Sequence, residues 1–285
     1  MSDSTAIKTV EFEVNGQIIS GISNGNKQGP MLLCLHGWLD NAASFQPLMP
    51  FLANYHVIAI DWPGHGLSSH RSADAHYHFL DWVYDLISLV RSQQWQKIDI
   101  VAHSMGGMVA SAFAGAFPEH VKSLTLIDTL GFLTSDAETT TEQLRKGMLS
   151  RLTRHVKPKN NHASIDSAIA ARMLVSDLTR ENAALIVKRG IKQTEVGFIW
   201  RSDNRLRAIS PYRFSESQAK QIVTDIITPV QLLYGSKGME MVTQGLKCFA
   251  SSFRMLQVNK LHGGHHVHME QAEQAARLID KFISQ

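Results

Sequence analysis

Cysteine is scarce in this chain, which holds only Cys34 and Cys248 among its 285 residues. The two lie far apart, Cys34 in a strand-like segment and Cys248 in a helix-like one. Domains that depend on disulfides carry several cysteines at short spacings. We therefore predict two reduced thiols in the protein core and a cytoplasmic location.

Long apolar runs, basic runs and a signal-like N-terminus are also missing. No apolar run reaches the roughly 20 residues that a membrane-spanning helix needs, and Met1–Thr5 lacks a charged stretch followed by an apolar one. The net charge is only +3, with no block of Lys and Arg, which argues against a nucleic-acid partner. We expect no signal peptide and no membrane span, and composition leaves the oligomeric state open.

What the sequence does contain is an alternation of short apolar runs with longer helical stretches. With 285 residues, 44% of them hydrophobic, it can form one α/β domain that carries an insertion. The predicted strands, the first two joined as a hairpin at Asn15-Gly16, are Thr9–Val14, Gln17–Ser20, Met31–Leu35, Tyr55–Ile60, Lys97–Ala102, Leu124–Asp128, Val230–Tyr234 and Arg254–Val258. The helices predicted between and after them are Phe79–Gln94, Met105–Phe117 and Glu270–Ser284. This order predicts a mostly parallel central sheet flanked by helices.

The interval between Asp128 and Val230 contains no convincing strand. Helices are predicted there instead, at Thr139–His155, Ile165–Leu174 and Thr179–Arg189. About a hundred residues are too many for a loop in a compact domain. We therefore predict a helical cap at residues 134–220, inserted between core segments 1–133 and 221–285. Because open α/β sheets bind ligands at the carboxyl ends of their strands, the cap is expected to cover a substrate pocket.

The segment Asp99–Gly107 is the most informative one for function. An apolar strand runs directly into Ser104, which small residues flank, and a helical pattern follows at once. This pattern is typical of a nucleophile elbow, a sharp turn that lifts a serine hydroxyl above the edge of the sheet. Ala102 stands where such elbows usually have their first glycine. A plain Ser-Met-Gly-Gly turn is the alternative.

A serine hydroxyl is a weak nucleophile and needs a base within hydrogen-bond reach. His265 is the candidate base, because it follows Gly264 between the last predicted strand and the last helix. His262, His266 and His268 lie close to it in sequence, which raises the alternative of a metal site. Zinc sites usually add cysteine or carboxylate ligands at set spacings, and none is evident here. We predict no metal and no cofactor.

An oxyanion hole needs two backbone N–H groups directed at the developing negative charge. One donor is expected from Met105, the residue after the candidate nucleophile, and the other from the loop after Met31–Leu35, with Trp38 as the candidate. The Gly- and Pro-rich segment Asp61–Ser68 is expected to shape the floor of the site.

Taken together, these motifs resemble the α/β-hydrolase superfamily. His36-Gly37-Trp38, the segment Asp61–Ser68, His103–Gly107 and Gly264-His265 occur in the order found in that superfamily. The resemblance covers nearly the whole chain outside the cap and implies a capped α/β-hydrolase fold. The stretch from Trp200 to Gly238 is similar to the serine hydrolase-like group. Dehalogenases and epoxide hydrolases share the capped architecture but use an aspartate as nucleophile, so Ser104 indicates ester-type acyl transfer.

The acid of the triad departs from the pattern. The superfamily usually places it after the strand that corresponds to Val230–Tyr234, in Gly-x-x-Asp, but position 238 here is glycine. Some capped relatives carry the acid at the strand end that corresponds to Asp128. Glu240 lies just beyond the usual place and has a longer side chain. Asp128, Glu240 and the absence of a working acid therefore all remain open.

The sequence thus predicts a serine hydrolase that acts on a small carboxylic ester or related acyl substrate. A C–C bond hydrolase or a perhydrolase could use the same framework. A protein whose triad has lost its acid could instead bind a small molecule without turnover. Apolar residues of the cap, which either line the pocket or pack the cap onto the core, are Met173, Leu174, Phe198, Trp200, Tyr212 and Phe214.

Overall fold

A computed structural model describes residues 7–156, 159 and 161–285 of the chain. Its strands, in chain order, are β1 (Lys8–Val14), β2 (Gln17–Ser23), β3 (Met31–Leu35), β4 (His56–Ile60), β5 (Ile98–His103), β6 (Val121–Ile127), β7 (Asn161–His162), β8 (Ile191–Thr194), β9 (Gly197–Trp200), β10 (Val230–Gly235) and β11 (Leu256–Leu261). Its α-helices are α1 (Phe79–Ser92), α2 (Met105–Ala116), α3 (Thr140–Val156), α4 (Ile165–Met173), α5 (Arg180–Gly190), α6 (Glu216–Thr224), α7 (Glu240–Phe249), α8 (Val267–Glu270) and α9 (Ala272–Ile283). Short 3₁₀ segments join them, the longest being Ala42–Leu52.

Eight strands form one sheet in the order β1-β2-β4-β3-β5-β6-β10-β11. From β4 onward the neighbouring strands run parallel, whereas β2 pairs antiparallel with both β1 and β4. The hairpin prediction is confirmed: Val14 pairs with Gln17, and Asn15 and Gly16 both have the positive φ that a tight hairpin turn requires. The predicted mostly parallel sheet flanked by helices is confirmed as well.

Two hydrophobic clusters cover the two faces of this sheet. Along β3, Leu33 and Leu35 belong to one cluster, and Leu32 and Cys34 belong to the other. Alternate residues of a strand face opposite sides, so β3 is buried on both faces. Helices α1, α2 and α6 contribute to the first cluster, and the 3₁₀ segment and α9 contribute to the second.

Two predicted elements near the C-terminus have different bounds in the structure. The last strand was expected at Arg254–Val258 but is β11, Leu256–Leu261. Asn259 and Lys260, beyond the predicted end, are polar, as fits an edge strand with partly solvated side chains. The helix predicted at Glu270–Ser284 is α9, Ala272–Ile283, and the short α8 before it was not predicted. Gln271, whose ψ of 45° is not helical, separates the two.

The expectation that the interval from Asp128 to Val230 contains no strand is wrong. The hairpin of β8 and β9, extended by β7, forms a three-stranded antiparallel sheet beside α3, α4 and α5. Its strands are only two to four residues long and partly exposed, so they lack the apolar alternation that marks longer strands. A third, small hydrophobic cluster is built mainly on α4, α5 and β8, and it also includes Met269 of α8.

Candidate active site

Ser104 occupies a strained turn between β5 and α2. Its φ is 51° and its ψ is −119°, a conformation that costs of order 1–3 kcal/mol for a residue with a side chain. Close packing maintains this turn, because a Cβ at Gly106 would overlap the carbonyl oxygens of Leu35 and His36. Ala102 lies within β5, where it is fully buried and pairs with β3 and β6. The geometry is that of a nucleophile elbow.

His265 faces Ser104 from the loop between β11 and α8. Its Nε2 lies 3.0 Å from Ser104 Oγ, and its Nδ1 lies 2.6 Å from Asp128 Oδ2. A carboxylate can only accept hydrogen bonds, so Nδ1 carries the proton and Nε2 is free to accept the hydroxyl hydrogen of Ser104. The structure therefore brings together the serine, the histidine and one of the two candidate acids.

Asp128 lies immediately after β6, with a φ of 46°. Its carboxylate is completely buried and accepts hydrogen bonds from the backbone N–H groups of Gly235 and Met239, both at 3.1 Å. Glu240 is exposed at the start of α7 and accepts a hydrogen bond from Gln244 on its own helix. Of the two candidate acids, only Asp128 contacts His265 among the residues that the structure describes.

Gly238, where the resemblance implied an aspartate, lies against the Asp128 carboxylate. A Cβ built on Gly238 would overlap Asp128 Oδ1 and lie 2.8 Å from its Cγ. The carboxylate thus fills the space that a side chain at position 238 would need. The glycine and the aspartate are therefore two parts of one arrangement, in which the candidate acid Asp128 follows β6 and takes the place of a side chain in the loop after β10.

The two candidate oxyanion-hole residues flank this site. Met105 is the first residue of α2, where backbone N–H groups have no acceptor within the helix. Trp38 lies in the loop after β3, and its indole Nε1 donates to the carbonyl of Leu206. The next residue, Leu39, has a φ of 62° and donates its N–H to His65 Nε2 at 3.2 Å. The Trp38 side chain and the Leu39 backbone thus both anchor this loop.

The segment Asp61–Ser68 connects the sheet to the insertion. The buried carboxylate of Asp61 accepts hydrogen bonds from the N–H groups of Ala42 and Leu67 and forms an ion pair with Arg189 of α5, N to O 2.8 Å. These contacts anchor α5 to the sheet, while a role of the segment in shaping the floor of the site stays a prediction.

A second cluster of charged residues, which the sequence did not reveal, adjoins the loop that contains His265. His266 lies between two carboxylates, with Nδ1 2.5 Å from Asp177 Oδ1 and Nε2 3.2 Å from Asp40 Oδ2. Arg172 lies 2.5 Å from the other oxygen of Asp40. Burial opposes the charged form of His266, but Asp40 and Asp177 outweigh it and raise its pKa to about 9. These partners come from distant parts of the chain, so no local motif signals them.

The same cluster bears on the metal alternative. Donor atoms of Asp40, His103 and His266 lie within 4.8 Å of one another. However, Asp40 already binds two cationic side chains, Arg172 and His266, whose charges would repel a metal ion. His262 is exposed and distinct from this group, while His268 is fully buried, which lowers its pKa to about 3.

The apolar residues suggested as pocket lining separate into groups. Leu174 is 87% exposed and Tyr212 is 49% exposed. Phe198 and Trp200 pack onto the hydrophobic cluster of the insertion. Phe214 forms edge-to-face contacts with Phe79 and Phe132 of the core. Packing within the insertion or onto the core therefore accounts for these three aromatic residues.

Comparison with known proteins gives matches over nearly the whole chain. A family model described as the alpha/beta hydrolase fold matches residues 30–272. A serine hydrolase-like protein of Danio rerio is 29% identical over 282 residues, covering 95% of this chain and 85% of that protein. The crystal structure of a hypothetical protein from Pseudomonas aeruginosa PAO1 is 32% identical, with a TM-score of 0.92, and covers 98% of this chain and 100% of that one. A thioesterase domain from the curacin biosynthetic pathway is 25% identical, with a TM-score of 0.83 and coverage of 97% and 99%.

Proposed function

The chain belongs to the alpha/beta hydrolase family, and we propose that it is a serine hydrolase that cleaves small carboxylic esters or related acyl substrates through an acyl-enzyme. The observation that carries this proposal is the unbroken hydrogen-bond chain from Ser104 Oγ through His265 to Asp128. Its order and distances match those that activate a serine for attack on a carbonyl.

In the proposed first step, Ser104 Oγ attacks the carbonyl carbon while its proton passes to His265 Nε2. The imidazolium that forms donates Nδ1–H to Asp128, whose negative charge stabilises it. The N–H groups of Trp38 and Met105 hold the oxyanion of the tetrahedral intermediate. Collapse breaks the bond to the leaving group, which takes the proton from His265 Nε2 and departs as an alcohol.

Water then releases the acid product. His265 Nε2 removes a proton from a water molecule, the hydroxide attacks the acyl carbon, and a second oxyanion forms in the same hole. Collapse returns the proton to Ser104 Oγ. Apart from the substrate and water, no group outside the chain takes part in either half of this cycle, so we propose that catalysis requires no metal or cofactor.

The alternatives differ in how well the arrangement supports them. A binding protein without turnover was suggested by the glycine at position 238, but the Asp128 carboxylate lies there and contacts His265. C–C bond hydrolysis and perhydrolysis use the same framework, and no feature of the described residues favours them over esters. Thioesters remain in the proposed substrate range, because the curacin-pathway thioesterase domain is similar over almost the full length of this chain.

The proposal also concerns where the protein acts. None of the helices in the described part of the chain has both the length and the apolar character needed to cross a bilayer. Both cysteines are free thiols, which supports the cytoplasmic location that we propose.

A series of p-nitrophenyl esters from acetate to octanoate tests the proposed function. The parent protein is expected to give a burst of p-nitrophenol that approaches one equivalent per chain, followed by slower turnover. Ser104→Ala should show only the background rate. Ser111→Ala is the matched control, since Ser111 lies in α2, the helix that follows Ser104, and its hydroxyl donates to Gly107 O. This variant should keep activity within about twofold. An equal burst from Ser104→Ala would refute the proposal, and loss of activity with a chelator would revive the metal alternative.

A further inference from the structure

The loop that carries His265 is held by a residue of the insertion. Asp177 lies between α4 and α5, and its Oδ2 accepts the backbone N–H of His266 at 3.0 Å while its Oδ1 accepts the ring Nδ1 at 2.5 Å. Gly264 makes this close approach possible, because a Cβ there would overlap the Asp177 carboxylate. The two residues on either side of His265 thus both contact Asp177.

The opposite side of the His266 ring connects to the loop that contains Trp38. His266 Nε2 lies 3.2 Å from Asp40 Oδ2, and the N–H of Asp40 donates to Gly37 O at 3.2 Å, which closes the turn around Trp38. Since both ring nitrogens face carboxylate oxygens, both must donate, and His266 must be an imidazolium. A single positive charge therefore joins the insertion, the loop of the proposed base and the loop of the proposed oxyanion hole.

The elbow takes part in the same network. His103, which precedes Ser104, donates from Nε2 to the backbone carbonyl of His265 at 3.0 Å. Its ring is completely buried and packs against the rings of His265 and His266, with centroids 4.6 and 5.0 Å away. The backbone of His265 is thus fixed through its carbonyl by the elbow, and through the adjacent N–H by the insertion.

We propose that Asp177 and His266 are positioning residues for His265, so that docking of the insertion onto the core is what aligns the base with Ser104. This inference rests on the proposed function, since it assigns a role in the same reaction. Neither side chain needs to contact the substrate for this role. Each acts by fixing the loop in which a displacement of about 1 Å can cost on the order of 100-fold in rate.

The charge of His266 makes the proposal sensitive to pH. The charged and titratable groups that face its ring are Asp40 in the loop after β3, Arg172 on α4, Asp177 between α4 and α5, and the histidines His103, His265 and His268. The two carboxylates are the nearest of these. Below a pH of about 9 the ring is positively charged and donates a hydrogen bond to each carboxylate. Above that pH it keeps one N–H and can donate to only one of them.

The test compares Asp177→Asn with Asp166→Asn as a matched control. Asp166 is an exposed aspartate on α4 that pairs with Arg180, so the same change is made in the insertion but away from the catalytic loop. The readout is the rate of fluorophosphonate labelling of Ser104 between about pH 6 and pH 10, with folding followed by circular dichroism. The parent rate should fall above about pH 9 while the protein stays folded. Asp177→Asn should lower the plateau about 10- to 100-fold and move the fall to lower pH, and Asp166→Asn should follow the parent.

Two results would overturn this inference without touching the proposed function. One is an Asp177→Asn protein that is labelled at the parent rate over the whole range, even if it melts at a lower temperature, because Asp177 would then only attach the insertion. The other, decisive if the variant does not fold, is a parent rate that stays constant to pH 10. NMR titration of the His266 ring gives a readout that does not need activity. A titration near pH 6.5 would contradict the pairing of His266 with Asp40 and Asp177. A titration near 9 with no labelling at all would refute the proposed function instead.

Discussion

The Asp128 carboxylate explains why position 238, where an aspartate was expected, is a glycine. Because Gly238 has no side chain, the space beside it is available for the Asp128 carboxylate. The buried carboxylate is in turn held by two backbone N–H groups and by His265. The sequence alone could name Asp128 as a candidate, but only the packing around it explains why position 238 is a glycine.

Removing the Asp128 charge is expected to reduce turnover strongly. In Asp128→Asn the amide cannot stabilise the imidazolium and favours the wrong histidine tautomer, which costs on the order of 10⁴-fold in kcat. The measurement is ester hydrolysis by purified protein. Glu240→Gln is the control and should keep the parent rate, since Glu240 contacts only Gln244 on its own helix. An inactive Glu240→Gln beside an active Asp128→Asn would reverse the assignment.

Relocating the acid tests the relation between the two positions. Gly238→Asp alone should be nearly inactive, because two carboxylates would compete for one space. The double variant Asp128→Ala, Gly238→Asp should recover part of the activity lost in Asp128→Ala, since a carboxylate at position 238 can reach the same region. The measurement is the rate of ester hydrolysis by the three variants. A double variant no more active than Asp128→Ala would show that the two positions are not interchangeable.

At the scale of elements, the insertion is tied to the core by ion pairs from α4 and α5. Arg189 of α5 binds the fully buried Asp61, and Arg172 of α4 binds Asp40. Both aspartates lie at or just beyond the carboxyl ends of parallel strands, β4 and β3. The sequence located the insertion and its helices through periodicity, but it could not pair these side chains, because pairs from distant segments leave no local pattern.

The Arg189 pair is expected to contribute strongly to stability. Arg189→Ala leaves the buried Asp61 charge without its partner, and breaking such a pair costs about 3–5 kcal/mol. The control is Arg180→Ala on the same helix, whose pair with Asp166 is exposed and should contribute no more than about 1 kcal/mol. Urea unfolding measures both free energies. Equal losses in the two variants would mean that burial does not distinguish the pairs.

The raised pKa of His266 gives the stability a dependence on pH. A group whose pKa rises on folding stabilises the fold fully below its unfolded value, near 6.5, and this stabilisation is lost as the pH rises through about 9. The loss amounts to on the order of 3 kcal/mol. Unfolding free energies at about pH 6 and pH 9.5 measure it, with His266→Gln as the comparison that should flatten the curve. A parent protein with the same unfolding free energy at both pH values would contradict the pairing of His266 with Asp40 and Asp177.

At the scale of the whole molecule, the strand order explains why residues far apart in the sequence meet. Ser104 follows β5, Asp128 follows β6 and His265 follows β11, and these parallel strands end at the same edge of the sheet. The motifs and their order therefore predicted the fold, and they singled out Ser104 and His265, which the structure brings within hydrogen-bond distance. They could not predict the small sheet of the insertion, whose strands are too short and too exposed to leave a pattern, nor the residues around His266.

The boundaries of the insertion stay a prediction. The proposed limits, residues 134–220, place α6 across a boundary, and its residues Ala219 and Val223 pack in the hydrophobic cluster of the main sheet. The similarity to the Pseudomonas protein covers both parts of the chain, so it does not separate them. Hydrogen exchange would locate the boundary, since the insertion should open with a lower free energy than the sheet if it forms a separate unit.

Whether Ser104 is an activated nucleophile is measured by the intact mass of the protein after exposure to a fluorophosphonate. The parent should gain the mass of one phosphonyl group, with the modified peptide containing Ser104, and Ser104→Ala should gain none. Asp128→Asn should react far more slowly than the parent, because its histidine is no longer oriented by a carboxylate. A folded parent that stays unmodified, or a Ser104→Ala protein modified as fast as the parent, would contradict the account of Ser104 as a nucleophile activated by His265 and Asp128.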